Sequence, residues 1–275
     1  MKNAPIFLFA LLLLCIIQTG CVQLKEVQTF TETSQKALES DQQIGYGYAD
    51  YCFDSCYIFN ASGHQLVDFD CNCSNAEVYD TLIQKEYNIL GAYFAALGKL
   101  AGSKSTINFL PLGTAVAAGT YGKMTITSTE SSVVNALSQA ATYVFTTKYK
   151  SKKIKEIIVK YNDTLSTAME LMKLHIDNLK SMIELMRTKL QLRCDLLMAR
   201  GGPSDAEKWA VVYTYKQKWK ELGKIVSTYD KRYQSMDTIR QGHVTLYENV
   251  NDLQSEVLKK RIVGLANDII YLANH

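Results

Sequence analysis

The chain has 275 residues, 47% of them hydrophobic and 21% charged, which suffices for a packed core and argues against disorder. Its 30 basic and 27 acidic residues leave a net charge of +3 spread without a basic block, so nucleic acid is not an expected partner. The first 20 residues carry a lone early Lys2, the apolar run Ile6 to Ile17 and small residues before a cysteine, the layout of an export signal.

The end of that leader, Gln18-Thr19-Gly20-Cys21, resembles the lipobox of bacterial lipoproteins. Gln18 stands where an aliphatic residue is usual, with Ile17 displaced by one. The resemblance implies that residues 1–20 are removed and that Cys21 is acylated with palmitate-type chains as the new N-terminus, tethering the protein to a membrane. Val22 and Gln23 supply no aspartate after the cysteine, which implies outer-membrane attachment, on the periplasmic or surface face. The alternative is an ordinary cleaved signal with an incidental cysteine. The likeness gives an address and no activity.

From Lys25 to Phe59, apolar residues at Phe30, Ala37, Ile44, Tyr51 and Phe59 recur at about seven-residue steps and predict a first helix, with Gly45 and Gly47 marking a bend. Tyr46, Tyr48, Tyr51 and Tyr57 form either a contact surface or a half-buried helix interface, the second being expected. Cys52, Cys56, Cys71 and Cys73 then follow as C-x3-C and C-x-C around a turn at residues 60–63. Export favours disulfides. Local pairings demand poor geometry, leaving two cross-pairings, of which a chain turning back at Gly63 favours Cys52–Cys73 with Cys56–Cys71. A four-cysteine zinc site is the competitor, with unusual spacing and the wrong compartment.

Asn75, as N-cap, opens a second helix running to about Leu100, uncharged over Ile89–Leu97. Between Ser105 and Thr147 the only charges are Lys123 and Glu130, and Met124 and Ile126 alternate with Thr125 and Thr127 as a short strand or tongue before a helical pattern over Val133–Phe145. This stretch is either the buried end of a bundle or a segment meeting a membrane or partner, with Leu110, Val116, Ala117 and Tyr121 as the contact residues. Long helices flanking an uncharged hairpin resemble in layout the α-helical pore-forming toxins of the haemolysin E type. No residue motif carries that likeness; it implies a hydrophobic tongue hidden against a bundle.

No Pro or Gly interrupts Ser151 to Ala199, where apolar residues fall every three or four, so at about 1.5 Å per residue the predicted helix is about 70 Å long. A second line, Leu171, Leu174, Met182, Leu185, Leu192 and Leu196, is expected to widen its buried face so that at least two helices pack against it. Cys194 falls on the first stripe as a buried free thiol. Gly201-Gly202-Pro203 ends the rod, and Ser204 with Glu207 forms a capping box that starts an antiparallel return. That return carries its stripe through Val212, Tyr215, Trp219, Leu222, Val226 and Tyr229, and resumes past a bend at Gln241-Gly242 with Leu246, Val250, Leu253, Val257 and Ile262.

The histidines His64, His175, His243 and His275 have no ligand partner at metal-binding spacing, and no nucleophile elbow, phosphate loop or H-E-x-x-H motif is present. No metal, cofactor or catalytic residue is expected. The whole reads as one all-α domain over 21–275, an elongated bundle of long antiparallel helices with a disulfide-bonded hairpin at 52–73 and an uncharged apolar hairpin at 105–147. Its expected role is an envelope lipoprotein that binds an envelope or secreted protein as scaffold, adaptor, inhibitor or exclusion factor; the alternative is membrane insertion through 105–147.

Overall fold

The computed structural model describes residues 24–42, 45–60, 71–102, 116–146, 151–199 and 204–274. In chain order these form α1 (Lys25–Gln42), α2 (Tyr48–Asn60), α3 (Ser74–Ala101), strands β1 (Gly119–Tyr121) and β2 (Met124–Ile126), α4 (Ser128–Thr146), α5 (Ser151–Ala199), α6 (Asp205–Glu248), a 3-10 turn (Val250–Asp252) and α7 (Glu256–Asn274). The strands pair antiparallel with Thr120 opposite Thr125, the tongue that the alternation predicts.

The expected bundle is present. α5 buries its first stripe almost throughout, from Ile154 and Ile158 through Met172, Ile176 and Ile183 to Leu190 and Cys194. Along its length α6 runs antiparallel to it, held by Lys173–Asp237 at 2.8 Å and Lys180–Asp230 at 2.6 Å. The capping box that begins α6 is complete: the Ser204 hydroxyl accepts from Glu207 N–H at 3.3 Å, and the Glu207 carboxylate accepts from Ser204 N–H at 2.6 Å. α3 lies inside the bundle, its uncharged half burying Leu90, Tyr93, Phe94 and Leu97 against α1, α4 and α5. Both favoured disulfides form, Cys52–Cys73 and Cys56–Cys71, with Cα separations of 5.9 and 6.1 Å, and they bind α2 to the start of α3.

Four local expectations are corrected. The first helix is two: α1 ends at Gln42 and α2 starts at Tyr48, because Asp80 of α3 supplies a new helix start, accepting the N–H groups of Tyr48 and Ala49 at 2.9 Å each. Gly47 is required there, since a Cβ would overlap the Asp80 carboxylate. The second helix begins at Ser74, with Cys73 rather than Asn75 at the N-cap position. α6 passes straight through Gly242 and breaks only at 249–255, and the break resets the phase of α7, which buries Leu258, Ile262, Ala266 and Ile269 and leaves Val257 exposed.

The fourth correction concerns the second apolar line of α5. Leu174, Leu185, Leu192 and Leu196 are 52–60% exposed, with Leu171 and Met182 only half-buried. The neighbours of α5 pack mainly on its first stripe and reach the second only at its edge, where Met182 touches the core. The tyrosine cluster divides similarly: Tyr46 and Tyr48 are buried, Tyr51 is half-buried and Tyr57 faces outward.

Candidate functional site

Three helices bring acidic and imidazole groups together in the interior. Thr127 caps α4, its hydroxyl accepting from Glu130 N–H at 3.1 Å, while Glu130 Oε2 accepts from Thr127 N–H at 3.4 Å. That reciprocal cap turns Glu130 inward, and its other oxygen lies 2.5 Å from Nε2 of His175 on α5. Nδ1 of His175 meets the Tyr79 hydroxyl of α3 at 2.7 Å. Tyr48 of α2 donates its hydroxyl to the His175 carbonyl at 2.9 Å and packs edge-on against the Tyr79 ring. Glu86, one turn and three residues along α3 from Tyr79, completes the group: one donor atom each from Glu86, Glu130 and His175 lies within 4.8 Å of the others.

The two carboxyl groups are driven apart in protonation. Burial, and then the charge of Glu130, push Glu86 up to about 9, so it holds its proton at neutral pH. Burial would raise Glu130 too, but the hydrogen bond and charge of His175 outweigh it and keep Glu130 below the usual carboxylate range. With Glu130 ionised and accepting, Nε2 of His175 carries the hydrogen. Neither Glu86 oxygen accepts a hydrogen bond among the described residues, although the residue is only 1% exposed; its one partner is Glu130, to which the protonated carboxyl donates.

Beside this group, a cavity of about 220 Å³ lies between the α1–α2 connection and helices α3, α5 and α6. His175 borders it with Asp41, Asp50, Asp80 and Arg232. Tyr229 closes one wall by donating its hydroxyl to the Tyr46 carbonyl at 2.5 Å, and burial pushes its own pKa up to about 12.

The residues proposed from sequence as membrane or partner contacts scatter. Leu110 lies outside the described residues, as does Cys21. Val116 is fully buried, its carbonyl accepting from the Ser131 hydroxyl at 2.6 Å and its N–H donating to Asn135 at 3.1 Å. Ala117 is exposed, and Tyr121 is half-buried with its ring 6.2 Å from that of Tyr79, so the tongue roofs the buried group. Among the described residues no helix is long and apolar enough to cross a membrane.

A second candidate is a surface. Toward their shared turn, α5 buries only Leu190 and Cys194 beyond Met186, and α6 buries nothing before Leu222. Leu174, Leu185, Leu192 and Leu196 fall on one line of α5 because steps of 11, 7 and 4 residues return to the same helical face. Leu192 shares a shallow groove with Arg187 and Trp219, the guanidinium lying 4.0 Å from the Trp219 ring centroid. Trp209, 67% exposed, stacks on Tyr213 at 5.1 Å.

Sequence spacing could not have revealed the buried group, since its members lie on three helices; the only local signal is T-x-x-E at Thr127–Glu130, which reads as a helix start. The surface was visible as apolar residues but assigned to the core. The chain matches no family model, no curated protein and no solved structure.

Proposed function

We propose that the protein is an envelope lipoprotein whose helical bundle captures another envelope or secreted protein through the outer end of the α5–α6 hairpin. The observation that carries this reading is the exposed line of Leu185, Leu192 and Leu196 on one face of α5, of which Leu192 shares a groove with Arg187 and Trp219. Exposed apolar residues in a continuous patch mark contact surfaces, and Trp, Tyr and Arg are the residue types that dominate binding energy there. The two disulfides support an oxidising compartment, in keeping with export through the leader. Binding rather than catalysis is the role assigned.

The test compares capture from envelope and culture fractions by the mature protein and by a Leu192→Glu/Trp219→Glu variant. A specific partner recovered by the first and lost from the second, with both variants equally helical and equally stable, is the expected outcome. An identical set from both, or no specific protein from either, rejects the surface. Acylation is tested separately by incorporation of labelled palmitate, which a Cys21→Ser change should abolish.

A second reading is favoured by the β1–β2 tongue between two helices: conditional membrane insertion through 105–147. Dye release from liposomes by the soluble mature chain, lost on Ala117→Asp, would place this reading first. Ala117 is exposed, so the charge is compatible with the folded state.

A further inference from the structure

We propose that Glu86, Glu130 and His175 form a binding site for one divalent transition-metal ion of the zinc type. Each offers a ligand atom, all lie within 4.8 Å of one another, and they come from α3, α4 and α5. The Glu86 carboxyl is almost wholly buried, accepts no hydrogen bond from any described donor, and has the Glu130 carboxylate as its one partner, with which it shares a proton. A buried carboxyl whose oxygens no donor reaches is rare in folded proteins, and a cation between the two carboxylates and the imidazole would replace the shared proton and satisfy both acids at once.

The supporting groups are those a ligand set needs. On metal binding the His175 hydrogen would pass from Nε2 to Nδ1, which then donates to the Tyr79 hydroxyl 2.7 Å away and keeps Nε2 facing the carboxylates, while Thr127 N–H holds the second oxygen of Glu130. Zinc bonds to nitrogen and oxygen of 2.0–2.1 Å place neighbouring tetrahedral ligands about 3.3 Å apart. The 2.5 Å contact between His175 and Glu130 would therefore open by about 0.8 Å, and Glu86 would swing inward by a rotation about its own side-chain bonds.

One imidazole and two carboxylates suit a borderline cation, and once the arriving ion displaces the Glu86 proton their two negative charges neutralise a dication in a site with little water. The thiols of α2 and the start of α3 are consumed in disulfides, and Cys194 sits far along α5, so sulfur takes no part. His175 also borders the cavity where Asp41 faces Arg232 and where Asp50 and Asp80 leave carboxyl groups in excess of the one guanidinium. Once bound, the ion would join the start of α4, and with it the tongue, to α3 and α5.

The experiment titrates metal-stripped mature protein with zinc chloride by calorimetry and follows the thermal midpoint. X-ray absorption on the stoichiometric complex then reads the ligand atoms. Expected are one ion per chain with micromolar or tighter affinity, a raised midpoint, and a first shell of nitrogen and oxygen with an imidazole contribution and no sulfur. Glu86→Gln, which keeps shape and removes the anionic ligand, should weaken binding at least tenfold, and a His64→Gln/His275→Gln protein should bind as the parent does. Failure of the parent protein to bind zinc overturns the proposal. So does binding undiminished in Glu86→Gln, loss of binding in the His64/His275 variant, or a sulfur shell. If Glu86→Gln does not fold, the absorption spectrum and the His64/His275 variant decide alone.

Discussion

The ring of Phe30 in α1 fills the space that a Cβ on Gly242 of α6 would need. Phe30 is fully buried and meets Phe94 of α3 edge-on at 6.0 Å, so it has no direction in which to retreat. Gly242 is therefore a point of close approach inside a continuous helix. Gly242→Ala should destabilise the fold by about 1–3 kcal/mol through overpacking, despite the better helix propensity of alanine. Urea denaturation checks this, and the penalty should shrink in a Phe30→Leu background, where the smaller side chain leaves room.

His243, next along α6, is buried with Nε2 2.9 Å from the Tyr93 hydroxyl and Nδ1 without a hydrogen-bond partner among the described residues. Burial pushes its pKa down to about 3. Below about pH 6.5 the unfolded chain takes up a proton that the folded chain refuses, so this residue makes stability fall as pH drops, by up to about 1.4 kcal/mol per unit. Asp41 acts in the opposite sense: burial, resisted by Arg232, raises it to about 7, so the folded state holds the extra proton and loses stability as pH rises toward 7. Comparing parent protein with His243→Gln cancels the Asp41 contribution. The stability advantage of the parent should narrow steadily from pH 7 to pH 4.

The disulfides close loops of 21 and 15 residues. Replacing Cys52 and Cys73 together by serine should cost about 3 kcal/mol, and Cys56 with Cys71 a similar amount. Denaturation midpoints of the two double variants, set against the parent under non-reducing conditions, give the comparison.

Asp80 starts α2 from a neighbouring helix. Asp80→Ala removes the acceptor of two N–H groups, and the expected loss is about 1–2 kcal/mol, the range seen for helix caps. Amide exchange should quicken first in the opening turn of α2, before any change in α5 or α6.

The phase of α5 is testable by a pair of leucines two residues apart. Leu190→Ala should cost about 2–5 kcal/mol, whereas Leu192→Glu should change stability by no more than about 0.5 kcal/mol. Equal losses at both positions would mean that the second line of α5 is covered after all.

Much of this architecture could be read from the residues because helix punctuation is local. Ser204 and Glu207 state a start, the uninterrupted pattern from Ser151 to Ala199 states a rod, and four cysteines around a turn leave two cross-pairings, of which the nested one is favoured and forms. What failed were statements about neighbours. α5 carries two leucine-rich lines of similar apolarity, and periodicity cannot say which has a helix beside it. Gly242 reads as a hinge until Phe30 is placed against it, and Gly47 reads as a bend until Asp80 is seen to occupy its flank. The group of Glu86, Glu130 and His175 is the extreme case, since no window of sequence contains two of them.

Phe30 has one more consequence, for reach. α1 enters beside Gly242, and Asp41 at its far end meets Arg232, so the chain ascends toward the α5–α6 turn as it leaves its beginning. From Gly242 to Asp205 the helix is continuous, and at about 1.5 Å per residue it spans about 55 Å. The start of α1 thus stands near the foot of this mast, with Leu185, Leu192 and Leu196 toward its top. At physiological salt electrostatic influence decays within about 8 Å, so headgroup charge would be silent at that height. Under the proposed acylation of the segment before α1, whatever the mast grips would be held at arm's length from the bilayer by a rigid spacer, its distance set by helix length and indifferent to lipid composition.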